Sequence, residues 1–412
     1  MNDYKNNRNK LIKDMKKGEL ALFFAGNAPA SSADSLYPFR TDKNFFYMTG
    51  LKREGFILLI MKGVKENKEV LFINEPNYDI EKWVGRALTK EQCTDLSAID
   101  EVLYLDGFEA YMNRLIYGAT YKSVYLDLAR AHKDREGLEA HVYAKKVQDK
   151  YPELRIKNVH GFMSHYRCFK SDSEIRTIKK AISLTQKGLE RVMTTLKPGD
   201  YEYRPKVEFD YSIMKHGADG NAFETIAASG VNATILHYIE NNMVMADNTL
   251  VLMDLGAQYG EYASDITRTY PVNGRFTQRQ KDVYNLVLKA HDAVIDLMAP
   301  GVAFEELNKK SSEILMAGLK ELGLIKEADE LGKYYYHGVS HYMGLDTHDL
   351  GERDTKLKPG MVLTVEPGLY ISEEAIGIRI EDDILITEHG CEVLSADIIR
   401  TVEDIEAFMA KA

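Results

Sequence analysis

Four carboxylates, set in two pairs far apart in the chain, could do chemistry together. Asp254 closes an apolar run that starts at Leu250; Gly256 and Gly260 punctuate a turn, and Asp265 stands on the returning segment. A turn centred on Tyr259-Gly260 sets Asp254 directly opposite Asp265, with Cβ atoms about 5 Å apart on one face of a hairpin. The second pair repeats the arrangement. Val362–Val365 runs into Glu366-Pro367-Gly368, and Glu381 lies within the return segment Ile376–Ile386. A turn centred on Glu373-Glu374 brings Glu366 opposite Glu381. Carboxylates that close repel unless positive charge sits between them. A divalent cation, or two of them about 3.5–4 Å apart, is the fitting occupant. Either pair alone is a weak pattern, equally readable as ordinary acidic residues on an exposed hairpin.

Between the hairpins, His337, His341 and His348 crowd into twelve residues among glycines. His237, in Thr234-Ile235-Leu236-His237-Tyr238, reads equally as a site or a framework residue. His132, His141, His160, His165, His291 and His389 read as core or surface histidines. Four carboxylates balance two divalent cations, and hard oxygen ligands with a single imidazole favour Mn²⁺ over Zn²⁺. A hydroxide between two such ions attacks a polarised carbonyl, so the reaction class is metal-assisted hydrolysis of an amide or ester. A neighbouring carboxylate would then act as general base.

The elements that must position these residues come in two similar sets. Ser171-x-x-Glu174 is a capping box opening a helix from Ile175 to about Leu196, stopped by Lys197-Pro198-Gly199. A helix over 203–216 follows, then strands through 225–238 into the first acidic hairpin. Thr277-x-x-Gln280 opens the second set, with a helix to about Met298, an Ala299-Pro300-Gly301 stop, a helix over 304–322, strands, and the second hairpin. Two like halves, each bringing one carboxylate pair, build a shared dinuclear centre. Upstream, Ala21–Ala25, Phe56–Met61, Val70–Ile73 and Leu154–Val159 read as short buried strands, and 136–150 as an amphipathic helix. The fold class is therefore α/β (α+β), with domains at 1–168 and 169–412.

The bulk numbers narrow the partners. At 412 residues, two domains are expected. A net charge of −10 with no basic stripe argues against nucleic acid. Three scattered cysteines, Cys93, Cys168 and Cys391, suit reduced thiols in the cytoplasm. Met1–Lys17 is polar, so no signal or transit peptide is expected, and no apolar run is long enough to span a membrane.

The segments Thr234–Glu240, Asp254–Thr269, His337–Asp349, Leu363–Tyr370 and Gly377–Asp383 resemble the signature of the pita-bread metallopeptidases, and within them the Xaa-Pro aminopeptidases (aminopeptidase P). Ser35-Leu36-Tyr37-Pro38-Phe39-Arg40 and Phe45-Phe46-Tyr47-Met48-Thr49-Gly50 resemble that family's N-terminal domain. The resemblance implies a creatinase-like α/β domain followed by a pita-bread domain with an internal pseudo-two-fold repeat. It implies two Mn²⁺, replaceable by Co²⁺ or Zn²⁺, held by Asp254, Asp265, His341, Glu366 and Glu381. It makes Glu366 the general base for a metal-bridging hydroxide. His237 and His348 would hold the substrate and the tetrahedral intermediate, while His337, Tyr370 and Arg379 would line the proline side or orient the ligands. The implied substrate is a peptide with proline second, and the implied assembly a homodimer or homotetramer; prolidase, cleaving only Xaa-Pro dipeptides, is the nearest rival. Two positions depart from the bacterial pattern: Asn44 replaces an Asp and Phe223 a Tyr, both tied in the family to a proton relay through the residue matching Arg379. Neither side chain can carry a proton at physiological pH.

Overall fold

The computed structural model describes residues 3–129 and 138–411. The chain divides into two compact units, Met1–Tyr166 and Arg167–Ala412. Among the described residues, no helix is long and apolar enough to cross a membrane.

The first unit is built on a six-stranded mixed sheet. Its order is Glu101–Tyr104, Asn67–Ile73, Ile57–Lys62, Glu19–Phe24, Ser123–Leu126, Arg155–Asn158, with the three central strands antiparallel and the outer ones parallel. Glu19–Phe24 is buried at every residue and Ile57–Lys62 at all but the last, which accounts for their continuous apolar runs. Leu22, Leu59, Phe72, Phe108, Met112 and Val147 share one core between sheet and helices. The expected 136–150 helix is seen as Glu139–Lys150; its first two residues, and His132, lie outside the described residues.

In the second unit both capping boxes form. Ser171 caps Asp172–Thr195 and Thr277 caps Gln278–Leu297, each with the N3 side chain returning to the cap backbone. The partner helices are Tyr203–Lys215 and Phe304–Glu321. Gly188 lets the first pair close on itself, since a Cβ there would meet the Phe209 ring at 2.3 Å. Two three-stranded sheets carry the hairpins. One has the order Ile266–Pro271, Leu250–Leu255, Ile226–Ser229; the other Val362–Val365, Asp382–Ile386, Cys391–Val393. A two-stranded ribbon, Gly368–Ile371 with Ile376–Arg379, extends the second.

The second hairpin takes the expected register. Val365 faces Asp382 and Gly368 faces Arg379, which brackets Glu366 and Glu381 as opposing positions. The first hairpin does not: Asp254 faces Thr267, not Asp265. Its tip pairs Tyr259 with Tyr262, so the central turn residues are Gly260 and Glu261, with φ of 57° and 72°. A tight hairpin turn of this kind needs positive φ at both central positions, and centring it on Tyr259-Gly260 would have forced that strain on a bulky aromatic. Moving the centre by one residue shifts the pairing by two. Side chains alternate with period two, so Asp265 stays on the face of Asp254, one diagonal step away. The expected strands through 225–238 also shorten to Ile226–Ser229, followed by a 3₁₀ turn, Gly230–Thr234, and an irregular segment.

The two hairpins are stitched edge to edge. The Glu381 N–H donates to Thr267 O at 3.0 Å, not to its own hairpin partner, and the Arg379 N–H donates to Thr269 Oγ1. Beneath them Arg268, fully buried, donates to Thr267 O, Glu381 O, Ile398 O, Ile399 O and Asp382 Oδ1. His291, also fully buried, has Nε2 at 3.1 Å from Asp382 Oδ2, in keeping with its reading as a framework histidine.

Candidate metal centre

Strand ends deliver the side chains. Asp254 lies near the end of Leu250–Leu255, Asp265 just before Ile266–Pro271, and Glu366 and Glu381 flank the break between the two halves of the second hairpin. His341 lies in a loop fastened to that hairpin, where Thr364 N–H donates to His341 O and Glu366 N–H to Val339 O, both at 2.9 Å. One carboxylate oxygen each from Asp265 and Glu381, with a His341 ring nitrogen, all fall within 4.8 Å of one another. His341 Nε2 lies 3.3 Å from Asp265, 3.7 Å from Glu366 and 3.9 Å from Glu381. Its Nδ1 sits 3.0 Å from Tyr342 O. A carbonyl can only accept, so Nδ1 carries the proton and the Nε2 lone pair faces the carboxylates.

The electrostatics are those of a site short of positive charge. Burial, then the neighbouring Glu381, pushes the Glu366 carboxyl up to about 8. Asp265 and Glu381 are held well above the usual carboxylate range by burial and by each other's quartet partners. Asp254 Oδ2 accepts from Arg379 Nη2 at 2.6 Å, while its buried Oδ1 has no hydrogen-bond partner. An orphaned carboxylate oxygen, crowded acids and an imidazole with its free lone pair aimed at them form a donor set that fits a hard divalent cation.

A chain of hydrogen bonds surrounds this set. Thr267 Oγ donates to Glu381 Oε2 at 2.6 Å and accepts from Arg379 Nε. Arg379 Nη1 donates to the Tyr370 hydroxyl at 2.9 Å, which leaves that hydroxyl to donate to His337 Nε2 at 2.8 Å. His337 Nδ1 then donates to Gly338 O and lies 3.9 Å from Glu366 Oε2. Burial, then Arg379, pulls His337 down to about 4, so its ring stays neutral. His348, exposed, meets the His341 ring edge-on at 4.4 Å, and burial of its ring atoms, then His341, lowers its pKa.

These residues line a cavity of about 540 Å³. His237 reaches it from the irregular segment after the 3₁₀ turn, and Phe223, Leu236 and Ile239 supply apolar wall. Thus Asp254, Asp265, His337, His341, His348, Glu366, Arg379, Glu381 and His237 meet in one cavity, with Tyr370 directly behind. Thr267 was not singled out from the sequence, although it stands two residues from Asp265 on a strand, and so on the same face. Asn44 is buried in the first unit, where its amide donates to Asp127.

The chain matches the model of metallopeptidase family M24 over residues 176–388 and that of the aminopeptidase P N-terminal domain over residues 4–125. It is 36% identical to an Xaa-Pro aminopeptidase of Escherichia coli (strain K12), with 100% of this chain and 98% of the relative covered. A candidate aminopeptidase P from Bacillus anthracis superposes with a TM-score of 0.97 at 43% identity, covering 99% of this chain and 98% of the other. A zinc-substituted E. coli aminopeptidase P in complex with product gives 0.92 at 35% identity, with the same coverage.

Proposed function

The chain belongs to metallopeptidase family M24, and from that membership we propose a role for each residue of the acidic cavity. The protein is a metallo-aminopeptidase that hydrolyses the bond between an N-terminal residue and a following proline. Asp254, Asp265, His341, Glu366 and Glu381 would hold the metal in this reading, with two Mn²⁺ as the occupants. Their four negative charges and predominance of oxygen support that occupancy. Bound divalent cations would polarise the scissile carbonyl and lower the pKa of an attacking water.

The protein's own groups do the rest. Glu366 takes the proton of the attacking water and passes it to the departing proline nitrogen. His348 and His237, exposed at the cavity wall, hydrogen-bond the substrate carbonyl and steady the charge that develops on it. Neutral His337, its Nδ1–H spent on Gly338 O and its Nε2 accepting from Tyr370, lines the proline side without adding charge. Arg379 orients Asp254 and Thr267 and partly offsets the carboxylates. Homodimeric or homotetrameric assembly and a cytoplasmic location are further parts of the proposal; three cysteines that form no disulfide support the latter.

Whole-length similarity to Xaa-Pro aminopeptidases carries the reading, and the converging ligand set in one cavity supports it. The deciding assay compares a tripeptide with proline second against the Xaa-Pro dipeptide, with Mn²⁺ present. Cleavage of the tripeptide is expected; turnover of the dipeptide alone would move the assignment to prolidase.

A further inference from the structure

Glu202 is a carboxylate with no solvent exposure and no function assigned above. It stands just before the helix Tyr203–Lys215 but does not cap it, and both of its oxygens are spent on a different part of the chain. Oε1 accepts from the Ser229 N–H and the Ser229 hydroxyl, each at 2.7 Å, and from Asn232 Nδ2 at 3.1 Å. Oε2 accepts from the Tyr238 hydroxyl at 2.8 Å and the Met243 N–H at 3.0 Å. All these donors are neutral, and all lie between 229 and 243.

That segment has little regular structure of its own. After Ser229 it makes one 3₁₀ turn, Gly230–Thr234, and then no strand until Leu250. Tyr238, buried, points down to Glu202, while its neighbours His237 and Ile239, both exposed, face the cavity. A second clamp, Asn241, takes the left-handed backbone and bonds Ala227 N and Thr225 O. Asn241 fixes the far end, backbone bonds tie Met243 and Met245 to 199–202, and the Tyr336 hydroxyl donates to Thr234 O; around His237 itself the buried anchor is Tyr238 on Glu202.

We propose that Glu202 is a positioning residue for substrate: its buried carboxylate holds the 229–243 segment so that His237 stands at the cavity wall. The inference rests on the reading that His237 meets the substrate. Only a carboxylate offers acceptors to every donor here; in Glu202→Gln an amide N–H₂ would face donors at one of the two oxygens. Tyr238→Phe is the milder break, removing the hydroxyl's bond to Glu202 and its longer contacts with Asn242 while keeping the charge.

Two measurements on the metal-loaded full chain test it. In hydrogen exchange, Glu202→Gln and Tyr238→Phe should speed exchange across 230–243 and leave Leu250–Leu255 unchanged; unchanged 230–243 in a folded Tyr238→Phe overturns the proposal. In kinetics on a short Xaa-Pro peptide, Glu202→Gln should lower kcat/KM about tenfold with bound metal little altered, and Tyr238→Phe should do so more weakly. In a His237→Ala background the Tyr238→Phe effect should vanish, as expected for residues acting through one another. Full additivity, or kcat and metal content falling together, overturns the proposal. If His237→Ala by itself leaves KM and kcat unchanged, the substrate role of His237 falls, whereas the exchange result still decides whether Glu202 anchors the segment.

Discussion

The two acidic hairpins look alike in sequence and are built differently. In the second, the turn sits where simple centring puts it, and the ladder runs from Val362 to Ile371 with a break at Glu366-Pro367. There the backbone N–H groups of Glu366 and Glu381 leave the hairpin for Val339 and Thr267. In the first, the break comes at Gly256, where a Cβ would fall 1.8 Å from Ser264 O, and the tip beyond it keeps its own pairing while adding Gly220–Asn221 on its other edge. One hairpin interrupts its ladder to reach its neighbours, the other to bend. Both breaks fall beside proposed ligand positions, and interrupting a sheet at such a residue lets two ribbons share one cavity.

If the halves contribute equally, the largest effects should be symmetrical across them. Asp265→Ala from the first hairpin and Glu366→Ala from the second should each lower kcat by about 10³-fold or more and reduce bound metal, read by turnover and elemental analysis. A variant of only one half that keeps full turnover would break the symmetry. The seam between hairpins comes next. Thr267→Val deletes the bond to Glu381 and the acceptor for Arg379, and should weaken metal affinity about 10–100-fold, measured by competition with a chelator. An unaltered affinity would mean that the ligands hold themselves.

Removing the metal exposes the shared repulsion. Glu366 titrates near 8 when folded, above its unfolded value near 4.3. A raised folded pKa favours the fold fully below the unfolded value, and that contribution is lost as pH rises through about 8. The Tm of metal-free protein should therefore fall, on the order of 5 °C, between pH 5 and 8, and saturating Mn²⁺ should flatten the slope. A flat metal-free profile would show that the carboxylates are relaxed apart. The smallest effect is expected outside the hairpins: Asn44→Ala should change kcat less than about twofold while costing about 1 kcal/mol of stability through the lost bond to Asp127. A large drop in kcat would return that position to the chemistry.

Much of the site was legible because period-two alternation tolerates error. Misplacing the first turn by one residue changed the partner of Asp254 from Thr267 to Asp265 without changing its face. Helix ends were legible from capping boxes and Pro-Gly stops, which act within a few residues. What could not be read were contacts between segments distant in sequence. The Thr267–Glu381 bond spans 114 residues. The stretch 230–238 looks strand-like by composition, yet it joins no ladder and its Asn232 and Tyr238 side chains donate to Glu202, and local pattern carries no trace of that.

Arg268 has a practical consequence for anyone trimming or tagging this chain. Two of its five acceptors, Ile398 O and Ile399 O, come from beyond the last strand, and the other three lie on the strands that carry the proposed ligands. Cutting upstream of Ile398 would leave the Arg268 Nε–H without its acceptor beneath the proposed ligand strands, while the ion pair with Asp382 stays. A fusion joined beyond the closing helix Val402–Met409 leaves those bonds untouched.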